Sequence, residues 1–99
     1  MTNPTQKRDA QLLFAANMKG IRLSKKLTQE KVAEYAGLHP NYISSVERGE
    51  RNISICNIER IAHALGVPMH ALLQEGLDVG DLVDAGAVVE PRSEQGKLK

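Results

Sequence analysis

Residues 27–47 contain two short runs in which apolar residues recur at helical spacing. The first run has apolar residues at i, i+1 and i+4, namely Val32, Ala33 and Ala36. Gly37 follows this run, and glycine ends helices readily because it adopts a left-handed backbone without a Cβ clash. In the second run Ile43 and Val46 lie three residues apart, which is again one face of a helix. The pattern therefore predicts two short amphipathic helices joined by a tight turn.

The ends of both predicted helices carry suitable residues. Thr28 can cap the first helix with its hydroxyl, and Glu30 lies in the first turn, where the helix dipole favours negative charge. Pro40 lies at the start of the second helix, where its missing N–H costs nothing. Two helices joined by a glycine-containing turn of about three or four residues are the signature of a helix-turn-helix motif.

The second helix has a polar face opposite its apolar one. At about 100° per residue, Ile43, Val46 and Glu47 share one side. The other side is short and nearly free of acid; it holds Asn41, Ser44, Ser45 and Arg48, with Pro40 and Tyr42 on its flanks. Asparagine can bind adenine bidentately, serine tolerates several bases, and a tyrosine ring can contact a thymine methyl. The residues predicted to read DNA base edges are His39, Pro40, Asn41, Tyr42, Ser44 and Ser45.

Three further helices are predicted around this pair. An amino-terminal helix would begin at Asn3 and run to about residue 25, with an apolar face made of Phe14, Met18 and Ile21. A fourth helix, capped by Ser54 and ended by Gly66, has a regular apolar stripe made of Ile55, Ile58, Ile61, Ala62 and Leu65. A fifth short helix would end at Leu73.

Length and charge fit a small DNA-binding domain. Ninety-nine residues correspond to one domain with a modest core. The net charge is only +1, but residues 1–60 hold ten Lys/Arg and six Asp/Glu, whereas residues 61–99 hold three and six. A basic front half and an acidic back half suit a protein that presents one side to DNA.

The cysteine content and the hydropathy indicate where the protein resides. A single Cys56 excludes an intrachain disulfide and fits a reducing compartment. The sequence contains neither a charged-then-apolar leader nor an apolar run that approaches the length of a membrane span. We therefore expect a cytoplasmic protein without a membrane partner.

The sequence offers no catalytic or metal-binding constellation. It lacks a nucleophile–base pair and a glycine-rich phosphate loop. Cys56, His63 and His70 repeat every seven residues, but two turns of one helix would separate the first two by about 10 Å, too far to share a zinc ion. We expect no enzyme activity, no cofactor and no metal.

The segment TQEKVAEYAGLHPNYISSVERGERNISICNIERIAHALGVP resembles the Cro-like and phage-repressor-like (XRE-type) helix-turn-helix regulators. Through YISSVERGERNIS it is also similar to the small controller proteins of restriction–modification systems. The resemblance covers roughly residues 14–73. It implies an all-α, compact five-helix domain of the lambda-repressor type over residues 1–76. Residues 77–99 would form a short, irregular, acidic and polar carboxyl-terminal extension that is partly mobile.

The resemblance also assigns structural roles. By the family pattern, Arg22 and Glu47 form an ion pair between helices 1 and 3. Lys26 stands where the family usually has glycine; a left-handed backbone there would cost about 1 kcal/mol because of the Cβ. Met69, Leu72 and Leu73 would close the bundle or form the contact with a second subunit. As in the controller proteins, helix 5 would meet the exposed edge of helix 4 in that contact.

On DNA, helix 3 would enter the major groove while helix 2 crosses the backbone. The residues expected to contact phosphate are Thr28, Gln29, Arg48, Arg51 and Asn52. The expected function is a homodimeric regulator of a (pseudo)palindromic operator, acting on its own promoter as a restriction–modification controller. The alternatives are an antitoxin, a prophage repressor and a protein-interaction module. RNA polymerase and a toxin protein are candidate further partners.

Overall fold

A computed structural model describes residues 9–77, which form four α-helices and one 3-10 helix. The α-helices are α1 (Asp9–Ser24), α2 (Gln29–Ala36), α3 (Pro40–Glu47) and α4 (Ile55–Leu65). The predicted fifth helix is a single 3-10 segment, Met69–Leu73. No strand occurs in residues 9–77, so the all-α prediction is confirmed. The predicted helix start at Asn3 and nearly all of the carboxyl-terminal extension lie outside the described residues.

The helix ends follow from local chemistry. Thr28 Oγ1 accepts a hydrogen bond of 3.0 Å from the backbone N–H of Lys31, and α2 ends at Gly37 with φ of 71°. Ser54 Oγ accepts a hydrogen bond of 3.1 Å from the N–H of Asn57, and α4 ends at Gly66, also with φ of 71°. These hydroxyls satisfy backbone donors that have no partner inside a helix. The caps predicted at Thr28 and Ser54 and the helix ends predicted at Gly37 and Gly66 are confirmed.

The link between α1 and α2 contains a left-handed residue other than glycine. Lys26 has φ of 60°, a region in which the Cβ approaches the following carbonyl oxygen at a cost of about 1 kcal/mol. Two backbone hydrogen bonds hold the turn, from the N–H of Lys26 to Leu23 O at 3.0 Å and from the N–H of Leu27 to Arg22 O at 3.1 Å. A substitution of Lys26 by glycine would therefore relieve strain without changing the turn.

The core lies between the four α-helices and the 3-10 helix. α2 packs against both α3 and α4, while α1 packs against α3 and the 3-10 helix. The largest fully buried side chains come from every element: Met18, Ile21, Val32, Ile43, Ile61, Leu65 and Leu72. α3 is thereby held from two sides. None of the helices in residues 9–77 has the length and apolar character to cross a membrane.

The 3-10 helix is fastened to α1 by a buried asparagine. Asn17 Nδ2 donates to Leu72 O at 3.0 Å and to Gln74 O at 2.9 Å. This contact fixes which leucine faces inward, since Leu72 has no exposed surface while Leu73 is 49% exposed. The assignment of Leu72 to a subunit interface is therefore corrected: its side chain completes the core of this chain. Met69 is partly buried against the core.

Candidate nucleic-acid interface

The inner side of α3 is anchored by a buried ion pair. Arg22 Nε donates to Glu47 Oε2 at 2.7 Å, and Arg22 Nη2 donates to Oε1 at 3.0 Å. Arg22 Nη1 donates to Leu27 O at 2.8 Å, so all three guanidinium nitrogens are used. The side chains are only 10% and 3% exposed. The structure thus brings together the two residues for which a structural ion pair was expected, in the bidentate geometry that favours such pairs.

At the start of α2, Thr28 and Gln29 use part of their hydrogen-bonding capacity within the chain. Gln29 Nε2 donates to Glu47 Oε1 at 3.0 Å, so the side chain expected at a phosphate instead supports the ion pair. One amide hydrogen and the backbone N–H of Gln29, at the amino end of the helix, are left for an anion. Thr28 is exposed, and its hydroxyl accepts the cap hydrogen bond, so its own proton remains available to a phosphate oxygen.

The first turn of α3 is the most accessible part of the predicted reading face. His39, Pro40 and Asn41 are all exposed. His39 caps the helix, because its Nδ1 accepts a hydrogen bond of 3.0 Å from the N–H of Asn41. The histidine proton therefore lies on Nε2. The side chain of Asn41 makes no hydrogen bond to any residue in 9–77, so its amide keeps both a donor and an acceptor for a base.

Ser44 and Arg48 form the outer edge of the same face. Arg48 Nη1 donates to Ser44 Oγ, and Arg48 Nε donates to Glu50 Oε2 at 3.1 Å. The hydrogen bond to Glu50, together with its negative charge, raises the pKa of Arg48. Both charged side chains are about half exposed, so water screens this pair and it contributes little to stability. Arg48 is thus an accessible cation at the outer edge of this face.

Ser45 does not lie where the sequence places it. Its residue is only 6% exposed, although the helical phase puts it opposite Ile43. Ser45 Oγ donates to Tyr42 O at 2.8 Å and accepts from Arg51 Nε at 2.9 Å. The loop after α3 supplies Arg51, which covers this side of the helix. Because the hydroxyl is buried and occupied, the assignment of Ser45 to base reading is corrected to a structural bridge.

Tyr42 is the centre of a half-exposed network that joins α3 to α4. Its hydroxyl accepts a hydrogen bond of 3.1 Å from Asn57 Nδ2. The guanidinium carbon of Arg51 lies 5.3 Å from the centroid of the Tyr42 ring. Of the Arg51 guanidinium, only Nε is hydrogen-bonded within residues 9–77, which leaves the terminal amino groups for a ligand. Arg51 and the neighbouring Asn52 are exposed.

Asn57 was not predicted as part of the site. The sequence gives only a weak indication of its involvement. Asparagine is a poor helix former, yet Asn57 occupies the third position of α4. Its partner Tyr42 is fifteen residues away in sequence, which no local pattern reveals.

The described residues offer no metal site. Within residues 9–77 no three His, Cys, Asp or Glu side chains are grouped closely enough to hold a metal ion, and Cys56 is exposed.

The fold and this surface together define a DNA-binding transcription regulator of the helix-turn-helix class. Residues 18–72 match the family described as Helix-turn-helix, and the chain belongs to this family. Its members are transcription regulators, which confirms that the protein is not an enzyme. The resemblance to XRE-type regulators is confirmed by the same match.

Several relatives have names that refer to restriction–modification control. The chain is 52% identical to Control protein C.BamHI from Bacillus amyloliquefaciens over 63 residues, 63% of this chain and 78% of that protein. The crystal structure of the restriction–modification controller protein C.AhdI from Aeromonas hydrophila is 37% identical, with a TM-score of 0.61 over 63% of this chain and 94% of that one. A hypothetical transcription factor from Neisseria is 34% identical, with a TM-score of 0.65 over 99% and 98% of the two chains.

Proposed function

We propose that this chain is a restriction–modification controller that binds a (pseudo)palindromic operator at its own promoter as a homodimer. The observation that carries the proposal is the outer face of α3, where Asn41, Tyr42 and Ser44 are accessible and no acid is present. A helix face that merely met solvent would mix acidic and basic side chains. The similarity to C.BamHI and C.AhdI supports the controller type.

The proposed contacts with DNA are of two kinds. Asn41, Ser44 and Tyr42 would contact base edges in the major groove, together with His39 at the helix start. Thr28, the amino end of α2, Arg48, Arg51 and Asn52 would contact phosphates on either side, which sets affinity and register but not sequence. The DNA-binding unit would comprise residues 1–76 and act in the cytoplasm.

A dimer is part of the proposal because α3 has only eight residues and reads few base pairs. Two exposed apolar side chains could pack against a second copy of the chain. Leu73, at the end of the 3-10 helix, is 49% exposed, and Ile55, at the start of α4, is 72% exposed. A symmetric dimer would place its two α3 helices one turn of DNA apart, about 34 Å, or a multiple of that distance.

Selection from a library of random duplexes tests the operator. The full chain is incubated with the library, and bound duplexes are amplified and sequenced over several rounds. We expect an inverted repeat whose half-sites lie about 34 Å or a multiple of it apart, centre to centre. The enriched site should also occur upstream of the gene for this chain. Enrichment of a single asymmetric site would contradict the dimer, and no enrichment would contradict sequence-specific regulation.

Sedimentation equilibrium tests the dimer. Leu73→Glu should convert a dimer into a monomer that is still folded, because Leu73 is already half exposed in one chain. Leu23→Glu is the matched control, since Leu23 is 55% exposed on α1, a helix that the proposed contact does not include, and should leave the dimer intact. A monomeric wild-type protein at micromolar concentration would contradict the proposal. Copurification of a second small protein from its own cells would favour the antitoxin alternative.

A further inference from the structure

The orientation of Tyr42 is fixed from outside its own helix. Asn57 of α4 holds the hydroxyl at 3.1 Å, and Arg51 of the preceding loop lies over the ring at 5.3 Å. Arg51 is itself held by Ser45 Oγ at 2.9 Å. A tyrosine on an isolated helix surface would sample several rotamers. Here both ends of the side chain have partners, so the direction in which the hydroxyl points is set before any DNA arrives.

The direction of the hydrogen bond determines what the hydroxyl can still do. Asn57 Nδ2 is the donor and Tyr42 Oη the acceptor. A tyrosine hydroxyl has one proton, and here that proton is not used by Asn57. Tyr42 is therefore presented as a hydrogen-bond donor. In the major groove the acceptors are guanine N7 and O6, adenine N7 and thymine O4, whereas the amino group of cytosine offers only a donor.

Asn57 can keep the Tyr42 hydroxyl in the acceptor role because the position of Asn57 is itself fixed. Its backbone N–H donates to Ser54 Oγ at 3.1 Å as part of the α4 cap. The residue is half-buried between α3 and α4, and its side-chain amide lies against Tyr42. The same residue thus connects the start of α4 to the reading face of α3. It does so without itself lying on that face.

We infer that Asn57 is a specificity-determining positioning residue: by donating to the Tyr42 hydroxyl, it makes Tyr42 select base pairs that present an acceptor at its position. This inference rests on the proposed function, since it requires that α3 reads DNA. It extends the site from α3 to α4. It also assigns base preference to a residue that does not touch the base.

The test exploits the opposite polarity of aspartate. In Asn57→Asp a carboxylate, which only accepts, replaces the amide donor at the same place, so that Tyr42 must turn its proton inward. The added negative charge needs its own control. Cys56→Asp places the same charge in the same turn of α4, on an exposed residue for which no contact with Tyr42 is seen in residues 9–77. Tyr42→Phe removes the hydroxyl and keeps the ring.

The measurement is fluorescence anisotropy at one fixed salt concentration. Each variant is titrated with the duplex selected by the wild-type protein, with all single base-pair changes in one half-site, and with a scrambled duplex. Tyr42→Phe should identify one base-pair position at which discrimination falls by about two- to tenfold, the range expected for one net hydrogen bond. Asn57→Asp should lose discrimination at that same position and at no other. In the Tyr42→Phe background Asn57→Asp should cause no additional loss of discrimination there. Cys56→Asp should weaken all duplexes alike.

Several outcomes would overturn the inference. One is an Asn57→Asp variant that behaves like Cys56→Asp, with equal losses on every duplex. Another is a loss of discrimination by Asn57→Asp that persists in the Tyr42→Phe background. A third is a Tyr42→Phe variant with unchanged discrimination at every position. If the library selection enriches an operator and one of these results is found, only the role of Asn57 is overturned. If the selection enriches no operator, the proposed function is overturned as well.

Discussion

Two polar networks hold α3 in place, and they differ in how much hydrogen-bonding capacity they leave for a ligand. The network around Arg22 and Glu47 joins α1, α2 and α3 and is closed, because all three guanidinium nitrogens and both carboxylate oxygens are occupied. The network around Tyr42, Asn57 and Arg51 joins α3 to α4 and stays open. The hydroxyl proton of Tyr42 and the terminal amino groups of Arg51 have no partner within residues 9–77.

Because the two networks differ in this way, mutations in them should have different effects. A closed, buried network can only hold the helix in place, so its loss should lower the free energy of unfolding and affect all DNA alike. An open, half-exposed network can also bind, so its loss should change affinity or base preference with little effect on stability. The predictions below test this division, beginning with the largest effect.

The largest effect is expected from Arg22→Ala. This change leaves Glu47, whose side chain is 3% exposed, without its charge partner. Breaking a buried ion pair from one side typically costs about 3–5 kcal/mol. Replacement of both residues, as in Arg22→Met with Glu47→Leu, should recover much of that loss, because no charge is then left buried. Urea melts of the three proteins measure the free energies of unfolding.

Arg60→Ala is the matched control for that series. Arg60 is an exposed arginine whose one hydrogen bond within residues 9–77, to Gly37 O, is 3.3 Å long. Its removal should cost less than about 1 kcal/mol, as expected for an exposed contact. A near-neutral Arg22→Ala, or a double variant no more stable than the single one, would show that the closed network does not hold the fold.

A smaller effect on stability is expected from Ser45→Ala. The variant removes a buried hydroxyl that bridges Tyr42 O and Arg51 Nε, at a cost of about 0.5–1.5 kcal/mol. Ser44→Ala is the adjacent control, on the accessible edge of the same helix, and should leave the melting temperature nearly unchanged. If Ser45→Ala kept full stability and Ser44→Ala lost it, the corrected placement of these two serines would be wrong.

The smallest change is expected from Arg51→Ala, and it concerns salt dependence. If the free amino groups of Arg51 contact one phosphate, the slope of log K against log salt should fall by about one unit. Affinity should fall on random duplex as well as on the selected operator, because a phosphate contact does not depend on sequence. Lys19→Ala, which removes an exposed charge on α1, should leave the slope unchanged. An unchanged slope for Arg51→Ala would exclude the phosphate contact.

The sequence predicts the local features of this protein well, because those features depend on neighbours in the chain. The caps at Thr28 and Ser54, the left-handed Gly37 and the inward face of Ile43 and Val46 all follow from spacings of one to four residues. The burial of Ser45 could not be predicted in this way. Helical phase turns it outward, and only the path of the following loop, which carries Arg51, encloses it.

Long-range contacts account for the other differences between prediction and structure. Asn17 binds the carbonyl oxygens of Leu72 and Gln74, more than fifty residues away, and this contact decides that Leu72 rather than Leu73 is buried. Asn57 meets Tyr42 because α2 packs against both α3 and α4 and so brings these two helices close together. Arg22 and Glu47 are 25 residues apart in sequence, and only the resemblance to known regulators indicated their contact.

The central claim is that the open face of α3 reads DNA sequence, and Asn41 tests it most directly. Its side chain is exposed and makes no hydrogen bond to residues 9–77. The measurement is an anisotropy titration of Asn41→Ala and wild type on the selected operator and on a scrambled duplex at one salt concentration. We expect a loss of about 1–3 kcal/mol on the operator, the discrimination of one bidentate pair, with little change on the scrambled duplex or in the melting temperature. Equal losses on both duplexes would contradict the claim and make Asn41 a phosphate contact.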